Sequence, residues 1–251
     1  GLDPKGVPRE LQGTVLPFSY NRIDELEALI AEHEIGVIKM EVSRNEGPKD
    51  QFLEKVRALA TAHQIVLVFD ECTSGFRETF GGLHKKFGVN PDMAVFGKAL
   101  GNGYAISAVI GSREVMENAQ STFISSTFWT ERIGPAAALK TLEVMERERS
   151  WEVITATGLN VRGRWRALAE QHGLDLTVSG LPAVQSYAFN STDNLKYKTL
   201  VTQEMLKKGF LSTPLLFSST AHDQEVIERY IEGLDGCFAQ VKGCEAGEDV
   251  D

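Results

Sequence analysis

The chain has 251 residues, 42% of them hydrophobic and 24% charged, with a formal net charge of −9. Such a chain is ordinary globular material, long enough to bury a sizeable core. Its acidity excludes a nucleic-acid-binding surface, which needs clustered lysine and arginine to meet phosphates.

No apolar run approaches the roughly 20 residues needed to cross a bilayer, and no membrane partner is expected. The opening GLDPKGVPRE lacks the apolar centre of a signal peptide and reads like a turn inside a longer protein. Cys72, Cys237 and Cys244 form no CxxC pair and cannot all be matched in disulfides. That points to a reducing, cytoplasmic location.

In chain order, Asn21 and Asp24 form a cap-like start. Ile23, Leu26, Leu29 and Ile30 then give a helical apolar face, so a helix is predicted over about 22–34. IGVIKMEV at 35–42 is β-rich, Phe52, Val56 and Leu59 mark a second helix, and IVLVF at 65–69 follows. The last run is apolar throughout, as an interior parallel strand covered on both faces should be. MAVF at 93–96 and YAISAVIG at 104–111 are two more strand candidates, the second alternating Ile106, Ala108 and Ile110. Beyond Pro135, AAALKTLEVMERERS reads as a helix with Leu139, Leu142 and Met145 inward.

After about residue 145 the texture changes. An arginine-rich helical stretch is followed by β-like LDLTV and AVQSYAF, then by the helix LKYKTLVTQEMLKKG, closed at Gly209 by a left-handed cap. The acidic tail GCEAGEDVD is expected to fray. The predicted class is α/β, a mainly parallel sheet covered by helices over residues 1–145, with a smaller C-terminal α+β domain over 146–251. No internal repeat is evident.

Chemistry gathers at AVFGKALGNGY, residues 94–104, where Lys98 follows an apolar run and is flanked by glycines. Asp70 and Glu71 end the earlier strand, and ligands of open α/β sheets collect at the carboxyl ends of strands. Pyridoxal 5'-phosphate (PLP) needs a lysine amine for a Schiff base and a carboxylate opposite its pyridine nitrogen. Lys98 and Asp70 can fill those roles, and the glycines would let the chain pass close to a flat cofactor.

Taken singly, these features have plainer readings. Asp-Glu after a strand also suits a Walker-B element of a nucleotide-binding α/β protein, but the only Gly-Lys, Gly97-Lys98, is followed by alanine and is no P-loop. GNG lacks the third glycine of a dinucleotide fingerprint. The histidines at 33, 63, 84, 172 and 222 show no HxxH or HxxxH spacing and read as surface or loop residues, so no metal site is expected.

FDECTSGFR, GGLHKKFGVNPDMAVFGKALGNGYAISAVIG and SSTFWTERIGPAAALKTLE, in this order, resemble the class III aminotransferases of PLP fold type I, particularly the glutamate-1-semialdehyde aminomutase-like branch. The resemblance runs over nearly the whole chain. It implies a PLP-dependent aminotransferase or aminomutase acting through a Lys98 Schiff base on a small-molecule amino donor and acceptor. An amino acid, a semialdehyde, a keto acid or a keto sugar would serve. Asp70 would pair with the pyridinium, Cys72 would lie against the ring where relatives carry valine, and Thr73 would stand near the phenolic oxygen.

Thr127 matches a threonine that reaches the phosphate of a neighbouring subunit's cofactor, implying a homodimer. Glu41 falls where relatives often carry a glutamate near the substrate, although a solvated loop acid is an equal reading. Arg77 and Arg132 suit a substrate carboxylate or surface acids, and Trp129 replaces a small residue. Residues 1–20 supply neither the family's phosphate-binding glycine-and-serine turn nor its ring-stacking aromatic residue, so the N-terminal part of such an enzyme is expected to be absent here. The rival reading is a catalytically silent fragment or subunit that keeps the fold and serves as an interaction partner.

Overall fold

In the computed structural model, which describes residues 4–248, helix α1 (Ile23–Glu32) buries Leu26 and leaves its charged face in water. Asp24 and Glu25 in its first turn favour the positive end of the helix dipole. Asn21 is not the cap: Arg22 holds that position without a side-chain bond. Asn21 instead accepts from the Lys49 backbone N–H at 2.9 Å and donates to the Gly47 carbonyl at 3.1 Å. An amide side chain satisfies one loop from both sides, a role that adjacency to a helix does not reveal.

Strands β1 (Val37–Glu41), β2 (Val66–Asp70), β3 (Met93–Phe96) and β4 (Ala108–Gly111) form one sheet in that order. Helix α2 (Phe52–Ala62) connects β1 to β2. The first three strands run parallel, and β4 returns antiparallel on β3. β2 is interior, as its unbroken apolar run predicts, with Leu67 and Phe69 fully buried. The fourth strand is shorter than its sequence suggests. Ile106 packs on the core just before it, but Ile110 is 57% exposed. A strand at the edge of a sheet, with its outer side uncovered, does not bury what its alternation promises.

Two short helices flank the later strands, α3 (His84–Phe87) before β3 and α4 (Arg113–Met116) after β4. Helix α5 (Ile133–Glu148) buries Gly134 and Ala138 and partly buries Leu142 and Met145. Leu139 is 70% exposed, contrary to the expected inward face. One residue past Ala138 turns the side chain about 100° around the axis, and the small residues form the contact stripe. The helix breaks at Arg149, held left-handed at φ 49°, before α6 (Ser150–His172).

A second sheet, antiparallel and ordered β5 (Leu176–Leu181), β6 (Val184–Phe189), β7 (Leu215–Phe217), is packed against α6, α7 (Asn194–Lys207) and α8 (Gln224–Glu245). Trp165, Tyr187, Phe189 and Phe238 form its aromatic centre, with Trp165 edge-on to Tyr187 at 4.8 Å between ring centroids. Gly209 is left-handed just beyond α7, as its position predicts. β7 and α8 escape the strand and helix readings made from sequence. The expected fray is corrected in part: Gly243–Glu245 complete α8, because Val241 is buried and Cys244 packs on the core. Residues 249–251 of that tail lie outside the described residues.

Candidate active site

Parallel pairing of β2 with β3, Asp70 opposite Val95, brings the carboxyl ends of both strands out side by side. Asp70 closes one strand, and Lys98 stands two residues beyond the other. Lys98 has φ 43°, a left-handed conformation that costs a non-glycine residue about 1 kcal/mol. It is held by a 3-10 turn in which the Gly101 and Asn102 N–H groups both donate to its carbonyl at 3.2 Å. Strain of this kind concentrates where a side chain must be aimed.

The Lys98 amine donates to the Thr73 hydroxyl at 2.6 Å. Asp70 Oδ2 lies 3.0 Å from Lys39 Nζ on β1, and Oδ1 accepts from the Cys72 backbone N–H at 3.1 Å. Burial works to raise the Asp70 pKa, but Lys39 and the Cys72 N–H outweigh it and hold the carboxyl below its ordinary value. The Cys72 thiol is pushed up by burial and then by the charge of Asp70, against an opposing pull from Lys98 and Lys39. The Cys72 sulfur also lies next to Gly97, the neighbour of Lys98, so the ends of β2 and β3 carry Asp70, Cys72 and Lys98 on one rim.

The glycines around Lys98 also have a reason within the protein itself. A Cβ at Gly97 would press on the Cys72 sulfur at 3.2 Å, one at Gly101 would collide with the Tyr104 carbonyl, and Gly103 sits at φ 102°. Gly101 and Gly103 thus serve the fold of the turn, and Gly97 its packing on Cys72.

Glu71, adjacent to Asp70, serves another purpose. It is fully buried and accepts from the His84 backbone N–H at 3.0 Å and the Ser74 hydroxyl, with His84 Nδ1 at 2.9 Å. Burial raises its pKa, but those donors together carry the net shift downward. His84 is therefore not the surface or loop residue its spacing suggested. No short motif links residues 71 and 84, so the pair was invisible in sequence.

Of the remaining candidates, Glu41 lies in register with Asp70 and pairs with Arg44 at 3.5 Å. Thr127 is exposed in the loop before α5, as are Trp129 and Arg132. Among the described residues no hydrogen bond joins Thr127 to Asp70, Cys72 or Lys98. Arg77 donates from Nε to the Thr73 carbonyl at 3.3 Å and lies over the Phe217 ring at 5.6 Å. A cavity of ≈ 690 Å³ opens beside Lys98, lined among others by Phe76, Arg77, Tyr104, Phe217 and Ser218. Asp70 and Cys72 are outside its wall.

The donor set suits PLP. A lysine amine borders a cavity with room for a small molecule, and an ionised carboxylate stands at the neighbouring strand end.

A sequence profile described as "Aminotransferase class-III" matches residues 20–219. The chain is 33% identical to a 3-aminobutyryl-CoA aminotransferase of Cloacimonas acidaminovorans, covering 94% of this chain and 61% of that one. It is 32% identical to a glutamate-1-semialdehyde 2,1-aminomutase of Methanothrix thermoacetophila, covering 92% and 58%. The PLP internal aldimine form of the Sphingopyxis sp. MTA144 FumI protein superposes with a TM-score of 0.86 at 26% identity, covering 94% of this chain and 59% of that one. A PLP-bound transaminase gives the same TM-score at 20% identity over 97% and 61%, a likeness of fold. The chain spans about three fifths of the length of these relatives. Its architecture is that of PLP fold type I.

Proposed function

The chain belongs to the class III aminotransferases, with the matched segment running over residues 20–219, and from that premise we propose that it binds PLP and serves amino-group transfer, as an aminotransferase or an aminomutase. The observation that carries this reading is the hydrogen bond from Lys98 to Thr73 beside the ionised Asp70 of the adjoining strand. When bound, the cofactor supplies an electron sink for bonds at the α-carbon of an amine.

Lys98 Nζ would hold the cofactor and, when free, would take and return a proton at the substrate's α-carbon. The Thr73 hydroxyl aims that amine. Asp70, kept anionic, would pair with the pyridine nitrogen and favour its protonated form, and Cys72 would lie on the ring side. Substrates are small molecules with an amino or carbonyl group, of the amino-acid, semialdehyde, keto-acid or keto-sugar kind.

Thr127 serves the phosphate of a second copy's cofactor in a homodimer. Support comes from its setting, in which Phe123, Phe128, Trp129 and Ile133 are all more than 60% exposed. The chain divides into a large PLP-binding part and a smaller C-terminal α+β part, and the left-handed break at Arg149 favours a boundary there, slightly beyond residue 145. Three free cysteines favour a cytoplasmic location.

The test is reductive trapping. The chain is incubated with PLP, reduced with borohydride and digested, and the Lys98 peptide is weighed. Wild type should carry the label and Lys98→Ala should not. An unlabelled wild type would instead favour the silent-subunit reading, which the chain's three-fifths span of its relatives keeps open.

A further inference from the structure

Lys39 stands on β1 in register with Val68 of β2, and Asp70 lies two residues further along β2. Residues two apart on a strand share a face, so ammonium and carboxylate meet on one side of the sheet, Nζ to Oδ2, at 3.0 Å. Glu41, in register with Asp70 on that face, is answered by Arg44 at 3.5 Å. The other Asp70 oxygen accepts from the Cys72 backbone N–H at 3.1 Å. A carboxylate offers about four lone-pair sites. The protein itself thus takes one on each oxygen, and one of the two donors carries a full positive charge.

We propose that Lys39 is a positioning residue that acts through Asp70, dividing its charge so that a pyridine nitrogen paired with this carboxylate is held protonated less firmly than by an undivided aspartate. This role rests on the PLP reading and adds a control to that same site. Two effects of the one ammonium have the same sign. Against burial, which works to raise the Asp70 pKa, Lys39 and the Cys72 N–H hold the carboxyl ionised below its ordinary value, and that makes it a weaker base toward a neighbouring ring. The ammonium also stands one carboxylate away from a paired pyridinium, and like charges that share a counter-ion repel. Lys98 does not compete for Asp70, since its amine donates to the Thr73 hydroxyl at 2.6 Å. Because the Lys39 side chain is largely in water, salt screens its effect. A ring held less firmly protonated is a weaker electron sink, and a lysine one strand away sets how weak.

The experiment uses the full chain with PLP labelled by nitrogen-15 in its ring. It reads the ring nitrogen's chemical shift and the PLP dissociation constant in wild type, Lys39→Met and Lys39→Arg. Lys39→Met should move the shift toward the fully protonated value and tighten PLP by about two- to fivefold, the span an exposed ion pair commands. Methionine keeps the apolar stem, so a packing role for Lys39 would leave both readouts unmoved. Lys39→Arg keeps the charge and should stay near wild type. High salt should bring wild type and Lys39→Met together. An unmoved nitrogen shift in Lys39→Met, weaker PLP binding in that variant, or a difference that high salt leaves intact would each overturn the proposal. Borohydride trapping at Lys98 keeps the two readings separate. A wild type that is trapped but whose ring nitrogen ignores Lys39→Met defeats only this proposal, whereas a wild type that takes no PLP at Lys98 defeats the PLP reading and this role with it.

Discussion

Asp70 Oδ2 lies 3.0 Å from the ammonium of Lys39, one strand away on β1. The carboxylate proposed to face a pyridinium is therefore already shared with a lysine. Lys39→Met should raise the Asp70 pKa toward the unperturbed value near 3.9. Because the Lys39 side chain is 62% exposed, solvent screening keeps that rise small. Carboxyl NMR titration measures it directly, and an unmoved Asp70 would show that the pair adds nothing in solution.

Glu71 makes a stronger pH prediction. Its folded pKa is depressed below the unfolded value near 4.3. Its contribution to stability is thus complete above that value and lost as pH falls through the folded pKa. Glu71→Gln should cost about 1–3 kcal/mol near neutral pH, since an amide NH2 then faces the donors of His84 and Ser74. Urea unfolding of both proteins between neutrality and acid should show the gap closing as pH falls, and a constant gap would contradict the assignment.

At the crossing of α6 with the turn between β5 and β6, a Cβ on Gly158 would collide with the Pro182 carbonyl oxygen. The Gly158 carbonyl also accepts from the buried Gln185 amide at 2.6 Å. Gly158→Ala should therefore destabilise by about 3 kcal/mol or more, despite alanine's better helix propensity. A melting temperature equal to wild type would show that the helix can move away.

If the loop carrying Thr127 is a subunit interface, charge there should break it. Trp129 is 65% exposed in the single chain. Trp129→Asp should shift a dimer toward monomer in light-scattering chromatography, with a weakening of about 2 kcal/mol or more, typical of an aromatic anchor. A wild type that is monomeric at micromolar concentration would remove the cross-subunit role of Thr127.

Sequence periodicity alone determined the first sheet's interior and the helices around it. The run at 65–69 can be covered only on both faces, and the 3.6-residue spacing of Ile23, Leu26 and Ile30 has one helical solution. Lys98 and Asp70 were also legible, since strand ends are readable and parallel strands bring such ends together. The partnership of the serine, histidine and glutamate at 74, 84 and 71 was not, nor was the unpartnered hydroxyl of Ser218. Their meaning depends on which donor lies within hydrogen-bond reach of which acceptor, and residues 77 and 218 line one cavity only because the fold brings β7 beside Arg77. Apolar burial is written in local periods that a chain repeats, whereas the satisfaction of a polar group is a three-dimensional property of partners far apart in sequence. For that reason the tertiary structure, and not the order of residues, decided that Asp70 is shared with Lys39, that Glu71 is structural, and that Arg77 is stacked on Phe217 at the cavity beside Lys98.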